Sequence, residues 1–234
     1  MSNDDEQQNN PSFQIEKNKH QTKRGIECII HKWTPCSSSQ IRGIAIIYHG
    51  FAAHARYPTV DYVAELVVSK KFVVYAMDMP GHGLSSGVRG LLPTVSDMVE
   101  DCTSVVVYTR QDCDDNKNLP IFLIGSSMGG ALALQVSQQL SSTAEEENAI
   151  TGVIMLAPML SLNVSTIEQK ALGALAWLAP TLAVIPSSAT SSEKQYRDPE
   201  RKKAADEDKL TYKGKLRCQS ALSCVELALL VKKS

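Results

Sequence analysis

An excess of charge of either sign is missing from this chain. Its 234 residues include 24 lysines and arginines against 25 aspartates and glutamates, which leaves a net charge of −1. A balance of this kind creates no broad electrostatic attraction to nucleic acid or to anionic lipid. We therefore predict no nucleic-acid partner.

Paired cysteine motifs are also missing. The six cysteines include no C-x-x-C pair. This spacing argues against a redox motif and against a zinc knuckle, so we predict no metal site. Reduced thiols are typical of proteins in the cytoplasm, which is the predicted location.

Long uninterrupted apolar runs are absent as well. The longest apolar stretch, residues 171–186, contains Pro180 and is too short for a membrane span. Residues 1–24 are polar throughout and lack the apolar core of a signal peptide. We predict that residues 1–24 are disordered.

What the chain does contain is an alternation of apolar strands and helices. Predicted strands cover residues 26–33, 43–50, 71–79, 120–125 and 150–158, and predicted helices cover residues 58–70, 94–110 and 127–140. Continuous apolar strands alternating with helices predict a doubly wound, mostly parallel α/β sheet. We assign this core to residues 25–160, an inserted helical cap to 161–210 and a return helix to 211–234.

The chemistry-bearing motif is "GSSMG" at residues 125–129, which matches G-x-S-x-G between a predicted strand and a predicted helix. In a nucleophile elbow, the serine occupies a strained, sharp turn, and the flanking glycines avoid Cβ clashes. The N–H groups at the helix N-terminus then face a developing oxyanion. This context favours Ser127 as the nucleophile over Ser126, which lacks symmetric glycines.

A second loop, "YHGFAAHARY" at residues 48–57, follows an earlier strand at the same edge of the sheet. We expect the Phe51 and Met128 N–H groups to converge on one oxygen there. His49 and His54 are alternative candidates for a catalytic base. In folds built around a nucleophile elbow, the catalytic histidine follows the serine in the chain. The preferred interpretation is therefore that His49 and His54 brace the loop. His82, in a third loop at residues 78–87, is predicted to form structural hydrogen bonds.

The three loops "HGFAAHARY", "DMPGHGLSSG" and "GSSMGG" together resemble the monoacylglycerol lipase family of α/β-hydrolases, also described as serine aminopeptidase-like. The segments "VIMLAPML" and "DKLTYKGKLR" add to the resemblance, which covers residues 26–232. It implies an α/β-hydrolase fold and hydrolysis of carboxylic esters, often of lipid acyl chains, without a cofactor.

By this resemblance Ser127 is the nucleophile, and Phe51 and Met128 provide the backbone oxyanion hole. Gly50 and Trp177 are the predicted substrate-binding residues, the latter in the apolar part of the cap. The expected partner is a small-molecule ester or a lipid, and the cap is predicted to contact membranes peripherally. An acyltransferase or a peptidase on the same scaffold is an alternative.

The sequence departs from the family pattern in two ways. Family members usually have histidine where this chain has Ser126. The family also places its triad acid and histidine after the cap, whereas all five histidines here precede Ser127. We expect the last strands of the sheet to be missing, which would leave residues 150–157 at the sheet edge. A catalytically impaired or non-catalytic family member that binds a lipid or a partner is therefore a second hypothesis.

Overall fold

The computed structural model describes residues 12–36, 40–113, 119–142, 149–186 and 192–233. The strands in these ranges are β1 Phe13–Gln21, β2 Glu27–Pro35, β3 Gly43–Tyr48, β4 Phe72–Met77, β5 Ile121–Ser126, β6 Ile150–Leu156, β7 Ala183–Ile185 and β8 Leu216–Arg217. The helices are α1 Pro58–Val68, α2 Val95–Asp112, α3 Met128–Ser142, α4 Thr166–Leu178, α5 Ser192–Gln195, α6 Pro199–Glu207 and α7 Cys218–Lys233.

Six strands form the main sheet in the order β1-β2-β4-β3-β5-β6. Strands β4, β3, β5 and β6 run parallel, and β2 and β1 extend the sheet in antiparallel fashion at one end. The predicted doubly wound, mostly parallel sheet is thereby confirmed. Its carboxyl edge gathers the loops that follow β3, β4, β5 and β6.

The core lies on both faces of this sheet, as β3 shows most clearly. Ile44, Ile46 and Tyr48 pack into a cluster that also takes in buried side chains of α2, α3 and α7. Ala45 and Ile47 point the opposite way, into a cluster with α1. Because strand side chains alternate between faces, a strand covered on both sides must be apolar at every position.

The amino-terminal strand corrects one expectation. Residues 13–21, within the segment predicted to be disordered, form β1 and pair with β2 along their whole length. The hairpin turns at Gly25, whose φ is +75°, and the ring of His20 hydrogen-bonds Ser104 on α2 at 2.8 Å. Backbone pairing stabilises this polar strand without an apolar face. Residues 1–11 of the predicted segment lie outside the described residues.

Strand β6 pairs with β5 alone among the described strands, so residues 150–156 form the sheet edge, as expected. Its side chains Ile154, Met155 and Leu156 are exposed. An apolar edge with unpaired backbone groups can accept another strand.

The region assigned to the cap begins with α4, which starts at a capping box between Ser165 and Glu168. The apolar stretch of residues 171–186 is divided between α4 and the short strand β7, on either side of Pro180. Helix α4 contacts α7, and β7 pairs with β8 next to the start of α7. None of the described helices has the length and apolar character needed to cross a bilayer.

Candidate active site

Ser127 occupies the sharp turn between β5 and α3. Its φ is +53°, in the left-handed region that side chains rarely adopt. Its N–H donates to the carbonyl of Leu156 at 3.0 Å, and its own carbonyl accepts from Gly130 and Met159 at 3.0 Å each. These hydrogen bonds hold the strained turn in place, and the Ser127 side chain is exposed to solvent.

The two glycines of the motif are required by close backbone contacts. A Cβ at Gly125 would lie 2.1 Å from the carbonyl oxygen of Gly129. A Cβ at Gly129 would lie 2.0 Å from the carbonyl oxygen of Tyr48, at the end of β3. The first contact confirms the predicted approach of the flanking residues. The second involves β3, a strand remote in sequence.

The loop after β3 lies directly beside the serine. A Cβ at Gly50 would be 3.3 Å from the Ser127 Cβ and 3.9 Å from its Oγ. Phe51 lines the same cavity as Ser127, and Met128 is the first residue of α3. The structure thus brings together four of the five residues predicted for the site.

His49 holds this loop from inside, and His82 holds the neighbouring loop of residues 78–87. The His49 Nδ1–H donates to the Gly50 carbonyl at 2.8 Å, and its Nε2 accepts from the Met79 N–H at 3.1 Å. The His82 Nδ1–H donates to the Pro80 carbonyl at 3.0 Å. Burial lowers the pKa of His49 to about 4 and that of His82 to about 3. Both rings are structural hydrogen-bonding groups, as predicted.

Asp78, at the end of β4, joins the neighbouring loops. Its carboxylate accepts from the Ala55 N–H at 2.7 Å and from the Leu84 N–H at 2.8 Å, and the His31 Nε2 lies 3.4 Å away. Burial opposes ionisation, but these hydrogen bonds outweigh it and hold the pKa of the carboxyl below its ordinary value. Asp78 thereby fixes the loops of residues 48–57 and 78–87 relative to each other.

The segment after α6 closes over the loop that follows β3. The His54 Nε2 donates to the Asp208 carboxylate at 2.6 Å. The Tyr212 N–H donates to the Ala52 carbonyl at 2.9 Å, and the Tyr212 ring meets Phe51 edge-on at 6.3 Å. The position of the Phe51 backbone therefore depends on a segment more than 150 residues away in the chain. Sequence pattern alone gave no sign of this contact.

A cavity of about 880 Å³ opens above Ser127. This volume suits a small-molecule or single-chain lipid ligand. Ala52 and Ala157 also line it, and both have positive φ, of +68° and +44°. Strained, non-glycine residues gathered around one cavity are typical of functional sites.

Among the described residues, no group of three or more His, Cys, Asp or Glu side chains could hold a metal.

Trp177 does not belong to this cavity, which corrects its predicted role in substrate binding. Its side chain is 86% exposed near the end of α4, and it is not among the lining residues. The reason is the docking of α4 against α7, which directs Trp177 to solvent instead of the cavity.

The described residues place no base beside Ser127. No hydrogen bond of the Ser127 hydroxyl occurs within the described ranges, and none of the five histidines lines the cavity. Other parts of the cavity wall come from residues that were not predicted for the site. These are Tyr57, Gln195, Tyr196, Arg201 and Thr211. Arg201 lies in α6, within a run of residues rich in charge.

A parallel sheet with a strained serine at the strand-to-helix turn defines an α/β-hydrolase fold. The chain matches the family described as serine aminopeptidase, S33 (Hydrolase_4), over residues 39–234. It belongs to this family, which confirms the resemblance to monoacylglycerol lipase-like α/β-hydrolases.

The sequence is also similar to individual lipases of this kind. The chain is 30% identical over 195 residues to a monoacylglycerol lipase of Mycolicibacterium smegmatis, covering 82% of this chain and 64% of the relative. It is 31% identical over 172 residues to the monoglyceride lipase of Mus musculus, covering 71% and 52%. The chain thus spans roughly half to just under two thirds of these relatives.

Solved structures share the fold. A monoacylglycerol lipase of Paleococcus ferrophilus aligns with a TM-score of 0.66 at 22% identity, over 94% of this chain and 72% of that one. A thermostable carboxyl esterase from Bacillus coagulans, solved in complex with glycerol, aligns with a TM-score of 0.70 at 18% identity, over 93% and 73%.

Proposed function

We propose that this protein is a serine hydrolase of the monoacylglycerol lipase or carboxylesterase type. Its substrate would be a carboxylic ester, with a lipid acyl chain as the acid part. The observation that carries the proposal is a strained, exposed Ser127 below a cavity of about 880 Å³. The names of the relatives, which are lipases and esterases, support the same reaction class.

In the proposed reaction, the Ser127 Oγ attacks the ester carbonyl carbon and its proton passes to a base. The alcohol leaves from the tetrahedral intermediate, and water then releases the acid from the acyl-enzyme. The Phe51 and Met128 N–H groups are the proposed oxyanion donors. Support for Met128 comes from its place at the N-terminus of α3, where N–H groups lack intrahelical acceptors.

A fluorophosphonate probe tests this proposal, because it forms a covalent bond with an activated serine. We expect labelling of the chain that disappears in Ser127→Ala. The matched control is Ser126→Ala, since Ser126 is the adjacent serine and lines the same cavity. Labelling should persist in that control. Hydrolysis of a monoacylglycerol should follow the same pattern, and labelling independent of Ser127 would contradict the assignment.

A second candidate function is binding of a lipid or a partner without catalysis. The observation that favours it is the lack of any histidine among the described residues that line the cavity. A triad serine without its base loses about 10⁴- to 10⁶-fold in turnover. Ligand binding combined with failure of the probe to label Ser127 would support this candidate.

The proposal extends to contact between the cap and a membrane surface. On α4, Ile167, Trp177 and Leu178 are 81%, 86% and 75% exposed. Large apolar side chains this exposed favour an interfacial location, and a lipid substrate would reach the cavity from there.

A further inference from the structure

The cavity above Ser127 reaches well beyond the serine. From Gly50 and Phe51 it extends along α1, where Val60 and Val63 form an apolar wall, to the side of α6. If Ser127 holds the ester carbonyl, as in the function proposed above, the far end receives a different part of the ligand. The chemistry of that far end therefore bears on which esters are accepted.

Arg201 is the single charged residue among the described residues that line this cavity. Its guanidinium lies over the ring of Tyr62, 4.6 Å from the centroid. Its Nε is 3.9 Å from the nearer Asp198 oxygen, at the limit of an ion pair, while Asp198 also caps α6. A guanidinium in this position retains donors for an anionic oxygen.

Other polar groups line the same cavity as Arg201. Thr211 lines the cavity, and its buried hydroxyl oxygen has no hydrogen-bond partner in the described part of the chain. Tyr57 donates to the Gln195 side chain at 3.0 Å. A buried hydroxyl without a partner is uncommon in folded proteins, and a ligand atom would satisfy it.

We propose that Arg201 determines specificity by binding the anionic group of a single-chain amphiphile, with Thr211 hydrogen-bonding its polar linkage. The shared chemistry is one negatively charged oxygen group, either the phosphate of an acylated glycerol phosphate or the carboxylate of a fatty acid. Neutral acylglycerols lack the group that Arg201 recognises.

Binding to the full chain tests this assignment without any need for turnover. The probes are dodecanoylglycerol, dodecanoylglycerol phosphate and dodecanoate, each titrated below its critical micelle concentration by calorimetry. We expect at least one anionic probe to bind about tenfold more tightly than the neutral ester, as a charge-assisted hydrogen bond allows. Tighter binding of the phosphate identifies a head group as the source, and tighter binding of dodecanoate identifies a free fatty acid.

Two variants distinguish direct binding of the anion by Arg201 from the general effect of removing one positive charge. Arg201→Gln should abolish the anion preference while the neutral ester binds as before. Lys203→Gln is the matched control, because Lys203 lies on the same helix with a 74% exposed side chain and does not line the cavity. This control should keep the preference. Thr211→Val should weaken binding of the preferred anion several-fold.

Equal binding of neutral and anionic probes, or equal losses in Arg201→Gln and Lys203→Gln, would overturn the proposal. Its outcome is independent of catalysis at Ser127. A chain that prefers the anionic probes but is never labelled at Ser127 would refute the hydrolase and retain the role of Arg201.

Discussion

Acidification from about pH 7.5 to about pH 5.5 is expected to destabilise the fold through the two buried histidines behind the candidate active site. Burial lowers the pKa of His49 to about 4 and that of His82 to about 3, whereas the unfolded chain has an ordinary value of about 6.5. The folded state therefore binds fewer protons below that value. Stability is complete above about pH 6.5 and declines as the pH falls towards the folded pKa values.

The size of this loss in the free energy of unfolding follows from the linkage between proton binding and unfolding. At about pH 5.5 each histidine would favour unfolding by roughly 1 to 2 kcal/mol, since the unfolded form is protonated and the folded form is not. The pair thus accounts for about 3 kcal/mol between the two pH values. Geometry supports the direction. Protonation of His49 would remove the acceptor for the Met79 N–H, and the two ring centroids lie only 5.5 Å apart.

Urea unfolding measured by tryptophan fluorescence provides the assay, because Trp33 is fully buried in the core. The comparison is wild type against His82→Gln at each pH. We expect the pH-dependent loss of stability to be smaller by about half in the variant, that is, by roughly 1 to 2 kcal/mol. This double difference does not depend on the variant's overall stability. An unchanged pH dependence in His82→Gln would refute the reasoning.

Two further predictions concern the elbow and the cap. Gly129→Ala should lose about 3 kcal/mol or more in urea unfolding, because its Cβ would lie 2.0 Å from the Tyr48 carbonyl oxygen. Gly173→Ala, where nothing lies within 4 Å, should gain up to about 1 kcal/mol on α4. Equal effects would contradict the elbow geometry. Trp177→Ser should reduce sedimentation with phosphatidylcholine vesicles several-fold, and Val107→Ser, on α2, should not. Similar binding by both variants would exclude contact through the cap.

The sequence by itself determined the central architecture and the elbow. Strand β3 is apolar at every one of its positions because both of its faces are covered, and that pattern is visible without coordinates. Gly125 and Gly129 flank Ser127 because side chains there would meet backbone carbonyls. In both cases the determining interactions are local or periodic in the chain, so residue type and spacing encode them.

Only the tertiary structure decided which other residues meet Ser127. Strand β1 is polar and forms through backbone pairing, which leaves little trace in the side-chain pattern. The His54–Asp208 hydrogen bond joins residues 154 positions apart. Arg201 faces the cavity and Trp177 faces solvent because of how α6 and α4 dock, and helix docking depends on distant surfaces. The local sequence thus identifies the candidate nucleophile, whereas the walls of its cavity form through contacts between residues distant in the chain.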